Sequence, residues 1–215
     1  MTTLGNTGRS NPGQFDGKKK LLLIPTIPIT PDFESSNGDL CDKYWDEVVQ
    51  QIGGLESALA TVKFVFHEMI HVGGEEGVKL VEAVSMRASS SIKRYIGSGA
   101  SMEPVEDEEV LREISDWQRC MSIGLLSKKV YELAMDSYQN LTKQRFETIS
   151  QKISDTMNTD DVALLFIAEG HGVQFESDVQ VFYVSPPSAN ELRNAIRTHL
   201  EKQMAEFEKQ SEDEA

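Results

Sequence analysis

The chain has 215 residues with 21 basic and 35 acidic side chains, a formal net charge of −14. A surface this acidic repels phosphate, which excludes generic nucleic-acid binding and attachment to anionic membranes. Two cysteines, Cys41 and Cys120, are too few for a disulfide framework, the first residues are polar rather than signal-like, and no apolar run approaches the roughly 20 residues of a membrane helix.

Residues 1–17 are rich in Gly, Asn, Thr and Ser and read as a disordered leader. From 18 to 200 the chain reads as one domain. Leu21-Leu22-Leu23-Ile24 reads as a buried strand, and Pro25 and Pro28 put its second half at an edge or in irregular backbone. From 41 to 157 nearly everything reads as helix. Trp45, Val48, Ile52, Leu55, Leu59, Val62, Phe66 and Met69 recur at 3-4 spacing, which sets them on one seam of a helical hairpin or coiled coil. Gly53-Gly54 lies inside that seam at a cost of about 2 kcal/mol against alanine, and Gly73-Gly74 closes it. A second helix carries Val78, Val81, Val84, Ala88, Ile92 and Tyr95. A third follows Pro104. Unbroken to 157 it would run about 75 Å, so a break is expected near Gly124.

Segments 162–168 and 179–184 read as strands. Only ten residues separate them, fewer than a parallel crossover usually takes, so an antiparallel pair is expected. Ser188-Ala189-Asn190-Glu191 has capping-box form ahead of a last helix, and 201–215 reads as an acidic tail. The fold class is therefore α/β and mostly helical: a small sheet from the N- and C-terminal segments, with a long helical hairpin or bundle, 41–157, inserted between its strands. Segment 103–109 carries a net −5 and the tail a net −4, which leaves −5 for the other 193 residues. Both acid runs read as solvated segments of a cytoplasmic protein.

The sharpest motif is His67-Glu68-Met69-Ile70-His71. On a helix, two histidines four apart face one point, and the glutamate beside the first can act as base on a metal-bound water. The motif resembles the H-E-x-x-H signature of zinc metallopeptidases, and Gly74 matches its H-E-x-x-H-x-x-G extension. Where a metzincin has its third histidine, this chain has Gly77. Glu132, in Glu132-Leu133-Ala134-Met135-Asp136, resembles the E-x-x-x-D arrangement of other zinc peptidases. The resemblance implies zinc held by His67, His71 and Glu132, with Glu68 as base. The heptad seam instead puts His67 and His71 opposite the packed stripe, and an ordinary polar helix face is the favoured reading.

The second constellation is Glu169-Gly170-His171-Gly172, directly after a buried strand. Loops at the carboxyl ends of strands are where small ligands bind, glycine lets the backbone approach closely, and His171 titrates near neutral pH. Thr26, Thr30 and Asp32 end the first strand and would share that crevice if the two strands run parallel. Phe64, Val65 and Ile70, off the main seam, point to a homo-oligomer through helices 41–72 and 104–157. The sequence thus favours a binding, regulatory or assembly module. The alternatives are a zinc hydrolase, or a small-molecule enzyme or sensor built on the 169–172 loop.

Overall fold

The computed structural model describes residues 15–213. Residues 1–14, most of the segment read as a leader, lie outside them. The elements run β1 (Lys19–Thr26), α1 (Pro31–Ser36), α2 (Gly38–Ala58), β2 (Val62–His67), α3 (Gly74–Val84), α4 (Met86–Gly97), β3 (Ser101–Met102), α5 (Glu108–Ser122), α6 (Lys128–Thr156), β4 (Val162–Ala168), β5 (Val179–Tyr183) and α7 (Ala189–Asp213). The fold is α/β and mostly helical.

The five strands form one sheet in the order β3-β2-β4-β1-β5, and every pairing is parallel. Both faces are covered, which is why the central strands are continuously apolar. Leu22, Ile24, Val65, Leu164 and Phe166 point to one face, under residues of α1, α2, α3, α4 and α7. Leu21, Leu23, Phe66, Ala163, Leu165 and Ile167 point to the other, under Ile149 and Ile153 of α6 and Val173 of the β4–β5 link. Each fully buried side chain of this size contributes about 2 kcal/mol. Pro25 sits in β1 beyond Leu23, the last residue that β5 pairs, so only β4 lies beside it.

Two strands come from inside the segment read as helical. The seam ends with α2 at Ala58, and 62–67 forms β2. Val62-Lys63-Phe64-Val65-Phe66 is β-branched and aromatic, a composition that suits a pleated surface, and pairing with β4 decides between the two spacings. Gly53-Gly54 stays helical within α2. Gly73-Gly74 opens α3 instead of closing a helix, and Ser85 separates α3 from α4 as an N-cap for Ala88 N–H. The expected break near Gly124 is present between α5 and α6, which pack as a hairpin.

The expectation of an antiparallel β4–β5 pair is overturned. The two are not neighbours; β1 lies between them and pairs with both in parallel. Ten extended residues reach about 33 Å, enough to return along a short strand and pass one neighbour without a helix. Ser150 Oγ, donating to Gln174 O at 2.6 Å, ties this link to α6. The capping box is likewise replaced by tertiary bonds: Ser188 Oγ donates to Glu47 at 2.6 Å, and Glu191 accepts from Lys43 at 2.8 Å, joining α7 to α2.

Candidate functional site

The H-E-x-x-H segment is the end of a strand and the turn after it. His67 is the last residue of β2 and stacks on its paired neighbour Phe166, with centroids 5.8 Å apart. Its Nδ1 lies 2.5 Å from the backbone oxygen of Glu68, an acceptor, so Nδ1 carries the proton and Nε2 is bare. Among the described residues that buried Nε2 has no hydrogen-bond partner. Burial pushes the His67 pKa down, against the opposing carbonyl of Glu68. Met69 takes a left-handed conformation (φ 68°). Its N–H donates to Glu106 Oε1 at 3.0 Å, and Val105 and Glu106 N–H both donate to Ile70 O at 3.2 Å.

Glu106 anchors this turn. It belongs to the acid run read as solvated, yet it is only 2% exposed. Arg145 of α6 holds its carboxylate through Nε, at 2.9 and 3.0 Å from the two oxygens, and through Nη2 at 2.5 Å. Lys152 donates to the Glu106 backbone carbonyl. Burial disfavours the Arg145 charge, but Glu106 and Glu68 outweigh it and keep the guanidinium protonated. Arg145 Nη2 lies 3.6 Å from Glu68 Oε2, while Glu68 Oε1 accepts from Thr26 Oγ1 at 2.6 Å. Glu68 is therefore fixed from two sides, at the carboxyl ends of β1, β4 and β2.

Thr26 also lines a crevice of about 480 Å³. Its floor is Thr26, Ile27 and Pro28 after β1 with Ala168, Glu169 and Gly170 after β4; its wall is Arg193, Ile196, Arg197, Leu200, Glu201 and Met204 of α7. Here the chain leaves β1 toward α1 on one face of the sheet and leaves β4 into the 169–178 link on the other. Adjacent strands exiting to opposite faces open a gap at their carboxyl ends, the position at which parallel α/β sheets bind ligands. Arg193 donates to Glu169 through Nε at 2.8 Å and also through Nη2, which fixes the β4 loop against α7. Tyr44 OH donates to Pro25 O at 2.9 Å from below, and burial raises its pKa.

The chain matches no family model, no curated protein and no solved structure.

Of the residues singled out by sequence, Thr26, Glu169 and Gly170 lie in the crevice and Glu68 stands behind Thr26. His171 is half-buried at the same edge. Burial lowers its pKa against the nearby Glu68 charge, and its Nδ1 accepts from Val173 N–H at 3.3 Å. Gly172 packs on Phe146 in a separate groove along α6. Thr30 caps α1 by accepting from Phe33 N–H, and Asp32 is exposed in its first turn, so neither lines the crevice. His67, His71 and Glu132 are not brought together. His71 lies 3.8 Å from Glu108, and Glu132 is on the surface of α6 beside Lys128. Among the described residues, no three His, Cys, Asp or Glu side chains form a metal-binding group. Sequence reasoning missed Glu106, Arg145, Arg193 and Arg197. An i, i+4 arginine pair directly after a strand-ending loop was the available signal for the last two.

Proposed function

We propose that the protein is a binding module for a small amphipathic molecule, with its site in the crevice between α7 and the carboxyl ends of β1 and β4. The observation that supports this reading is the crevice itself. Its volume falls in the range of small-ligand pockets, and its lining is mainly apolar with a few polar groups, Thr26, Glu169, Arg193, Arg197 and Glu201. Leu200 and Met204 remain 44% and 65% exposed along its wall. Large apolar side chains left open along a mainly apolar crevice are the signature of a surface that something covers.

The test is saturable binding of the neutral fluorophore N-phenyl-1-naphthylamine to the native protein. One site per chain, lost on Ile196→Trp with helicity and melting temperature retained, supports the reading. Non-saturable binding, or binding that Ile196→Trp leaves unchanged, rejects it.

A further inference from the structure

Resting on that reading, we infer that the crevice takes a medium-chain organic acid, with its carboxylate on Arg197 and its chain along Ile196, Leu200 and Met204.

The hydrogen-bonding capacity left open in the crevice decides the head group. A guanidinium has five N–H donors in a planar fork. Arg193 spends its fork on Glu169 and another donor on Asn190 Oδ1, at 2.6 Å. Both Glu169 oxygens are thereby occupied, so Glu169 offers little to a cationic ligand. Among the described residues Arg197 gives only Nη2 to Asn194 Oδ1, at 3.2 Å, and its Nε stands 4.0 Å from Glu201 Oε1, too far for a hydrogen bond. Its fork is open. Arg193 and Arg197 lie one helical turn apart on the side of α7 that walls the crevice. The Thr26 hydroxyl spends its single proton on Glu68, so it cannot compete for the carboxylate as a donor. The open polar groups are thus the Arg197 fork and, beside it, the Glu201 carboxylate, which no N–H or O–H among the described residues reaches within hydrogen-bond distance; a planar two-oxygen anion is the group that fits the fork.

The apolar half sets the rest of the ligand. Ile196, Leu200 and Met204 recur every fourth residue, a stripe directly beside the Arg197 head site. From Arg197 to Met204 the helix rises about 10 Å, a length for a medium alkyl chain rather than a two- or three-carbon acid. Ile27 and Pro28 face that stripe from the β1 side. A bound carboxylate would take the hydrogen bonds that Glu201, at 4.0 Å, does not make to Arg197, and a chain on Leu200 and Met204 would remove their exposed apolar surface from water.

The experiment is displacement of N-phenyl-1-naphthylamine from the full chain by decanoate, 1-decanol and decylamine, which share one chain and differ in head group. Decanoate should displace the probe at a concentration at least tenfold below the other two. Arg197→Gln, an exposed and conservative change, should bring decanoate to the level of decanol. Decylamine or decanol displacing as well as decanoate, or a decanoate preference that survives Arg197→Gln, overturns the organic-acid assignment while leaving the binding site in place. Failure of the fluorophore to bind in the crevice removes the site itself, and the organic-acid assignment with it.

Discussion

Thr26 Oγ1 donates to Glu68 Oε1 at 2.6 Å across the end of β4, joining two strands, β1 and β2, that are not neighbours in the sheet. The bond sits where the crevice meets the Glu68–Arg145–Glu106 cluster, so it sets both the floor of one and the edge of the other. A hydrogen bond to a charged group contributes about 1.5–3 kcal/mol net, less when partly solvated. Thr26→Val and Glu68→Ala, combined in a double-mutant cycle by urea unfolding, should show a coupling of about 1–2 kcal/mol. Strict additivity would mean that the two side chains are merely adjacent.

Glu106 is the most consequential charge at this edge. It neutralises Arg145, accepts from Met69 N–H and is almost fully buried. Removing one partner of a buried pair strands the other, at a cost of about 3–5 kcal/mol. Glu106→Ala should destabilise by that amount in denaturant unfolding. Glu106→Gln keeps an acceptor for Met69 N–H and should lose clearly less. Equal losses would show that the Met69 contact contributes nothing beyond the charge.

Several elements were legible because one local pattern admits one reading. Leu21 to Ile24 could only be a buried strand, the apolar segment at 162–168 likewise, and the length of the third helical segment demanded the break that falls between α5 and α6. β2 was not legible, because Val62 and Phe66 fit a helical seam and a strand equally well, and only pairing with β4 separates them. That one ambiguity carried the H-E-x-x-H reading with it, since His67 and His71 face one point only on a helix. At the candidate site, Glu169 and Gly170 were found because they follow a strand. Glu106 was missed because four other acids surround it and its partner, Arg145, lies 39 residues away. Arg193 and Arg197 were missed because arginines one turn apart on a helix ordinarily face solvent.

Gly77 provides a test of the α3 packing. A Cβ there would stand 2.5 Å from Val72 O and 3.1 Å from Met102 Cγ, and the first of these is backbone that cannot yield cheaply. Gly77→Ala gains about 1 kcal/mol of helix propensity, but the overlap with Val72 O should outweigh it, for a net loss of about 1–3 kcal/mol. Gly53→Ala, in α2 with open space around its Cβ, should instead stabilise by close to the full propensity difference. The pair of midpoints in urea checks both signs at once. Stabilisation by Gly77→Ala would show that α3 can move away from the turn at no cost.

His67 makes stability depend on pH. Its pKa is held below the ordinary 6.5 by burial, with the Glu68 carbonyl and the Glu68 and Glu106 charges opposing. In the unfolded chain the ring takes up a proton near pH 6.5, while the folded ring resists until lower pH. The unfolded state therefore binds more protons across that window, and stability rises with pH there. The His67 contribution is fully present above pH 6.5 and is lost as pH falls from 6.5 through the folded value, with a slope of at most about 1.4 kcal/mol per pH unit. His171 is shifted in the same direction by burial, so the wild-type slope contains both rings. His67→Phe keeps an aromatic ring against Phe166 and removes only one of the two titrations. Urea unfolding at several pH values between 5 and 7 should give a shallower slope for the variant than for the wild type, whatever their absolute stabilities. Identical slopes would mean that His67 takes up its proton in the folded state as readily as in the unfolded chain, and that the bare Nε2 is not sealed from water.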